Sequence, residues 1–353
     1  MSDATDLIAR ECYEKHSVFP ISFCLPRQKL RPFRQKPKTQ DMSFIIAGDV
    51  KTFVFSDEDS YMNEYQISRF GRTRKKAGWD CVRHLEIMAA SCLPVFENIE
   101  NCPQYTMTHY PKAAFKEIKD TFAGMAGAEY DRRLRESYDW ISQYLTSDKM
   151  VEYMFRITGT SGVENILFID SALPRKPDCQ SAMILSGLKN KFGARCEVAY
   201  PLECLYASQP FPTKPKWWKT NFNIYRVLDD SLRSPNEKTP DLRRIKQKIT
   251  AREYDIVIYG SITRSSDLFE LVTANYSKDK VFCINGEDDY RRFPDGSLLP
   301  WKERFKQQLR NRLRRNSLGG PQMDPSLHPI AQWRKLLAEI HPKSTVFMRE
   351  LLV

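Results

Sequence analysis

Several absences narrow what this chain can be. No stretch approaches the roughly 20 apolar residues of a membrane-spanning helix. The first residues, MSDATDLIARECYEKHSVF, are acidic early and hold no uninterrupted apolar run, so they do not read as a secretory leader. There is no CxxC pair, and the odd count of nine cysteines argues against a closed disulfide framework and for a reducing compartment. None of the five histidines has metal-ligand spacing with those cysteines, so no metal site is expected. No RNA-binding signature occurs, and aromatics are not interleaved with the cations as stacking platforms require. These absences lead to the expectation of a soluble, cytoplasmic protein.

What is present is length, apolar material and positive charge. At 353 residues and 41% hydrophobic content, the chain has enough for two cores. A formal net charge of +11 implies a preference for anions: nucleic acid, an anionic membrane surface or phosphorylated small molecules.

The most informative stretch runs from Tyr65 to Pro103. Gly71-Arg72-Thr73-Arg74-Lys75-Lys76-Ala77-Gly78, with Arg69 upstream, reads as a basic loop marked by glycines that let a ligand approach the backbone. After Trp79, Asp80 is the expected N-cap of a helix carrying Val82, Leu85, Ile87, Met88 and Ala89. A helix N-terminus carries roughly half a positive charge, which favours phosphate oxygens. Arg83 and Glu86 are three apart and share a face of that helix. Leu93-Pro94-Val95-Phe96 reads as a short strand. Upstream, Val18–Phe23, Phe44–Ile46 and Thr52–Phe55 read as strands, and a helix starts at Ser56-Asp57-Glu58-Asp59. The Asp57-x-Asp59 pattern is attributed to helix capping and the helix dipole rather than to metal binding. Phe115–Ala126 and Tyr130–Thr158 show helical periodicity.

From Glu164 a second pattern begins. Asn165–Asp170 is a buried-strand run ending in an acid, Cys179–Leu188 a helix, Cys196–Tyr200 a strand and Leu242–Ala251 a basic helix. Tyr254–Gly260 is a central strand, Asp267–Tyr276 a helix and Lys280–Gly286 a further strand. Such alternation predicts a parallel sheet with ligands at the carboxyl ends of the strands. Asp170, Asp178, Ser261, Arg264, Glu287, Asp288 and Asp289 sit at those ends, and some of them are expected to face a cleft. Beyond residue 300, Trp301–Arg315 is a basic amphipathic segment expected to pack its Trp301, Phe305, Leu309 and Leu313 stripe on the body. Ile330–Ile340 reads as a last helix.

Lys75-Lys76-Ala77-Gly78-Trp79-Asp80-Cys81, Arg83, Glu86-Ile87, Cys92-Leu93-Pro94-Val95-Phe96 and Glu100-Asn101-Cys102-Pro103 with Thr106-Met107 together resemble the nucleotide-sugar-binding half of exostosin-like glycosyltransferases of the GT-B type. The likeness is strongest to uncharacterised members encoded by large algal viruses. The resemblance implies an α/β fold of two Rossmann-like domains facing across a cleft: residues 15–160 for the donor, 161–300 for the acceptor side, and 301–353 as a basic helical segment packing across both. It implies a metal-independent hexosyl- or pentosyltransferase with no cofactor, taking a nucleotide sugar as donor and a glycan or glycoprotein as acceptor. It would act in the cytoplasm, the host's if the chain is viral. By the same resemblance Glu86 holds the donor ribose, while Arg72, Lys75, Lys76 and Arg83, with Gly78 and Trp79, surround the diphosphate. If transfer inverts the anomeric centre, a carboxylate must take the acceptor's proton, and Asp170 or Asp178, at the end of the first strand of the second half and its loop, are the best placed, with His84 and His109 weaker. Ser261, Arg264, Trp217 and Trp218 are acceptor-side candidates. In such proteins the two halves usually come in the opposite order. The matching scraps Ala9-Arg10-Glu11-Cys12 and Met348-Arg349-Glu350-Leu351 fit a circular permutation with adjacent ends. The alternatives are a basic nucleic-acid-binding protein, for which no signature speaks, and a catalytically inactive GT-B-like binding module.

Overall fold

The computed structural model describes residues 2–76, 78–210, 222–287 and 338–351. The expectations on Trp217, Trp218, Asp288, Asp289 and the 301–315 segment lie outside these residues.

The chain folds into a mixed α/β structure with two parallel sheets. The larger has six strands in the order β1-β9-β8-β7-β5-β6: β1 (Phe19–Pro20), β5 (Ile166–Ile169), β6 (Cys196–Val198), β7 (Ile256–Tyr259), β8 (Val281–Asn285) and β9 (Thr345–Met348). The smaller is β2-β3-β4, with β2 (Gln40–Met42), β3 (Ser68–Arg74) and β4 (Leu93–Glu97). All residues of β5, β7, β8 and β9 are buried, as expected of parallel strands covered on both faces.

Alternation along the strands separates two apolar layers. Ile166, Phe168, Ile256, Ile258, Phe282, Ile284 and Phe347 point into one core. Leu167, Ile169, Val257, Tyr259, Val281, Cys283 and Val346 point into another. The second layer is covered by α8 (Leu242–Thr250) through Ile245 and Ile249, and by α9 (Phe269–Asn275) through Phe269 and Val272. The first is covered by α6 (Ser147–Ile157) and α7 (Cys179–Phe192), and it continues without a break into the smaller sheet's unit. There it takes in Tyr61 and Tyr65 of α2 (Glu58–Ile67), Leu85, Ile87 and Met88 of α3 (Val82–Ala89), and Phe96 of β4. The far face of the small sheet packs Phe70, Leu93 and Val95 against α4 (Lys112–Thr121) and α5 (Gly127–Tyr144).

Both ends of the described chain meet at one edge of the large sheet. β1 pairs with β9, Phe19 opposite Phe347 and Pro20 opposite Met348. Pro20 is tolerated because β1 is the edge strand. α1 (Ser2–His16) lies against this edge, with Tyr13 stacked on Phe19 at 4.4 Å.

Some expected elements are placed differently. Gly71–Arg74 belongs to β3 and pairs with Pro94–Glu97 rather than forming a loop. Its alternation buries Thr73 and exposes Arg72 and Arg74. Gly71 admits the Ile87 side chain, which would lie 3.1 Å from an added Cβ. Asp80 is not the cap of α3; that position is Cys81, which makes no side-chain cap bond. Phe44–Ile46 and Thr52–Phe55 are not strands; the strand is the polar Gln40–Met42, whose register is fixed by β3. The 130–158 helical stretch breaks in two at Leu145-Thr146, where residue 25 bridges to residue 146. The tail, expected to be helical, returns to the sheet as β9, because Thr345-Val346-Phe347-Met348 is a buried β-favouring run. Asp57 does cap α2, accepting from the Ser60 N–H at 2.7 Å, and Asp59 pairs with Arg31.

Candidate functional site

The first candidate site grows out of α3. Every residue of this helix from Arg83 to Ala89 is buried, because both the sheet and the large core press on it. Arg83 and Glu86 are therefore held in a mostly apolar interior, where a charge is costly unless paired. They do not pair with each other. Glu86 Oε2 accepts from the Tyr61 hydroxyl at 2.6 Å, and Oε1 from the Asn223 side-chain amide at 2.6 Å. Burial pushes the Glu86 carboxyl up from its ordinary range, against the pull of Tyr61, Arg83 and Asn223. The Arg83 guanidinium lies over the Phe53 ring, 5.1 Å from its centroid, and its Nε is buried with no partner. The Tyr65 hydroxyl is likewise buried and unpartnered. Two unsatisfied polar atoms beside a buried carboxylate are unusual in a native interior.

Of the other residues expected to surround a diphosphate, Lys75 is buried with its Nζ 5.4 Å from the Trp79 ring centroid. Arg72 and Lys76 are exposed. The Gly78 carbonyl accepts from the Lys76 N–H at 3.0 Å. Asp80 turns its carboxylate to the Phe23 N–H (2.7 Å) and the Tyr110 hydroxyl (2.8 Å). His84 joins Thr73 to Trp79: Nδ1 lies 2.8 Å from the Thr73 hydroxyl and Nε2 2.8 Å from the Trp79 carbonyl. Burial lowers its pKa to about 3, so it is a neutral brace for the loop. His109 is also buried and lowered to about 3, with Nδ1 3.0 Å from the Ser22 hydroxyl.

The second candidate site lies on the carboxyl edge of the large sheet. The chain leaves β5 through α7 to β6 on one side, then returns to β7 on the other, so the direction of winding reverses between β5 and β7. Open α/β sheets bind ligands at such a point. Asp170 follows β5 and is 1% exposed. Its Oδ1 accepts from the N–H groups of Ala172 and Leu173, each at 3.1 Å, and its Oδ2 from the Ser181 hydroxyl at 2.7 Å. Asp178 caps α7 by accepting from the Ser181 N–H at 3.0 Å, and lies 3.4 Å from the Arg264 guanidinium. Its side chain is 30% exposed, so it is the carboxylate that reaches solvent. Ser261 is buried 3.4 Å from the Thr263 hydroxyl, which also lies 3.4 Å from Glu287. The helix meets the strands closely: a Cβ on Gly260 would fall 2.2 Å from the Ser181 oxygen.

Burial raises the Asp170 pKa from 3.8 to about 6, with Arg264 and Ser181 opposing. The folded state therefore holds this proton more tightly than the unfolded chain. Its contribution to stability is full below about pH 4 and falls as pH rises toward 6, by about 1.4 kcal/mol per unit. Asp170→Asn should remove this contribution and lessen the fall in stability between about pH 4 and 6. Its carbonyl can keep the two N–H bonds and its amide can donate to Ser181 once that hydroxyl turns. Denaturant midpoints at pH 4, 5, 6 and 7 measure it.

Cys179, the first residue of α7, lies within electrostatic reach of both Asp178 and Glu86, so the two sites flank one helix end. Asn223, Tyr61, Tyr65 and Phe53 were not foreseen from sequence. The Tyr61-x-x-x-Tyr65 spacing is a local signal, whereas Asn223 is 137 residues from Glu86 and offers none. A cleft of about 460 Å³ lined by Arg27, Asp148, Glu152 and Lys191 contains none of the expected site residues. Among the described residues, no group of three or more His, Cys, Asp and Glu could hold a metal ion. None of their helices is long and apolar enough to cross a membrane. No protein-family model matches the chain, and no curated protein and no solved structure shows significant similarity to it.

Proposed function

We propose that the protein is a GT-B-type glycosyltransferase, with its donor nucleotide sugar docking on α3 and its acceptor at the carboxyl edge of the large sheet. The observation that carries this reading is the buried set Glu86, Arg83 and Tyr65, in which the arginine Nε and the tyrosine hydroxyl lack partners. A diphosphate would answer the arginine. Ribose hydroxyls would take the place that the Asn223 amide holds on Glu86. The halves would be those of the resemblance, in permuted order; the pairing of β1 with β9 supports this, since permutation requires neighbouring ends.

Calorimetry with nucleoside diphosphates and nucleotide sugars tests the donor site. Glu86→Gln should fold, because glutamine still accepts from Tyr61, and should weaken binding on the order of 30-fold, roughly 2 kcal/mol. Unchanged affinity would remove Glu86 from the site.

A second reading, an inactive binding module of the same fold, is favoured by the full commitment of Asp170 to its own loop and Ser181. Donor hydrolysis over long incubation separates the two readings, since it requires no knowledge of the acceptor.

A further inference from the structure

Residues 349–351 leave β9 and cross from the large sheet to the loops of the small-sheet unit. Arg349 is 1% exposed. It donates to the Gly286 carbonyl, just beyond β8, from Nε (3.1 Å) and a terminal nitrogen (2.6 Å). Its other terminal nitrogen donates to the Asp80 carbonyl at 2.8 Å, and the guanidinium lies 4.1 Å from the Phe23 ring centroid. Glu350 Oε1 accepts from the Asp80 N–H at 2.8 Å and lies 3.2 Å from Arg349. Leu351 exchanges two bonds with the Thr106 hydroxyl, at 3.1 and 2.9 Å. The loop that enters α3 is thus tied to the end of β8 by the backbone of one residue, Asp80, gripped from both sides.

The grip has an electrostatic imbalance. The Glu350 side chain is 2% exposed, its Oε2 has no partner, and Arg349 is the cation it touches among the described residues. The Asp80 carboxylate lies nearby, engaged with Phe23 and Tyr110. Lys112 is held by the carbonyls of Pro103, Gln104 and Thr106, and Lys75 lies over Trp79. Burial pushes the Cys102 thiol up to about 12 and the Tyr110 hydroxyl well above its ordinary value, so neither ionises near neutrality.

We propose that residues 349–351 form a proton-controlled latch, which fastens the α3 entry loop to the large sheet while Glu350 is protonated and loosens when Glu350 ionises. Oε1 can keep its bond from the Asp80 N–H when Oε2 takes the proton. Burial raises the Glu350 carboxyl from 4.5 to about 7, with Arg349 opposing and Asp80 adding to the rise. The sign follows: the latch is at full strength below about pH 4.5 and weakens as pH rises through about 7. Its release would free the segment that presents Arg83, whatever that site binds.

Amide hydrogen exchange on the full chain tests the latch. Peptides covering 79–84, 104–108 and 349–351 are compared at pH 6 and pH 8, corrected for intrinsic rates. The wild type should lose protection about 10-fold at pH 8 relative to pH 6. Glu350→Gln keeps the Oε1 acceptor and cannot ionise, so it should hold equal protection at both. Thr106→Val removes the Leu351 clasp alone; it should lower protection at both pH values and keep the wild-type dependence on pH. Wild-type protection that does not change with pH, or a Glu350→Gln protein that follows the wild-type pH dependence, would overturn the proposal.

Discussion

Lys189→Met should lower the free energy of unfolding by about 3–5 kcal/mol, the loss expected when one partner of a buried ion pair is removed. Lys189 of α7 and Glu237 have side chains that are 0% exposed. The ammonium group donates to Glu237 and also to the carbonyls of Cys196 (2.7 Å) and Leu232 (3.1 Å). Glu237 in turn accepts from the Tyr206 hydroxyl at 2.5 Å and from the Ser234 N–H and hydroxyl, each at 2.8 Å. One lysine thus fastens α7, the start of β6 and the connector beyond it. Methionine fills similar volume but donates nothing, leaving a buried carboxylate and two carbonyls uncompensated. Urea midpoints measure the loss, with an unchanged denaturant slope marking a pure stability effect. Lys189→Met with Glu237→Leu should recover part of it, since removing both charges abolishes the uncompensated one. A single variant within about 1 kcal/mol of wild type would mean that the pair contributes no more than a solvent-exposed one.

This pair also shows which features the sequence reveals. The runs of β4, β5, β7 and β8 were legible because parallel strands covered on both faces are apolar at nearly every position, and α7 because a helix follows such a strand after a capped turn. β2 was not, since Gln40-Asp41-Met42 is polar and is a strand only because β3 lies beside it. β9 pairs with β1, more than 300 residues earlier in the chain, and no local pattern reports that neighbour. The chemistry divides the same way. Arg83 and Glu86 stood out as charges on one helix face, but their burial and their separate partners come from the surrounding core, Tyr61, Phe53 and Asn223. Asp170 and Asp178 stood out as acids at a strand end. Only the folded chain shows that one is enclosed by its own loop while the other is half open.

That difference decides which acid is the better base on the glycosyl-transfer reading. A general base must reach the acceptor hydroxyl directly or through one water. Asp170 is 1% exposed and both its oxygens are occupied, whereas Asp178 is bonded at Oδ1 and presents Oδ2 beside Arg264. Asp178→Asn should therefore cut the transfer rate by roughly 100- to 10,000-fold and leave nucleotide affinity unchanged. The substitution isolates the charge, because asparagine caps a helix about as well as aspartate and can still accept from the Ser181 N–H. Asp178→Ala loses the cap as well, which costs about 1 kcal/mol, and so serves as the comparison. If the charge is the active feature, both variants lose the same activity while only the alanine one loses stability. If Asp178 matters solely as a cap, the asparagine variant keeps its rate and the alanine variant alone fails. Full transfer by the asparagine variant would remove Asp178 as the base.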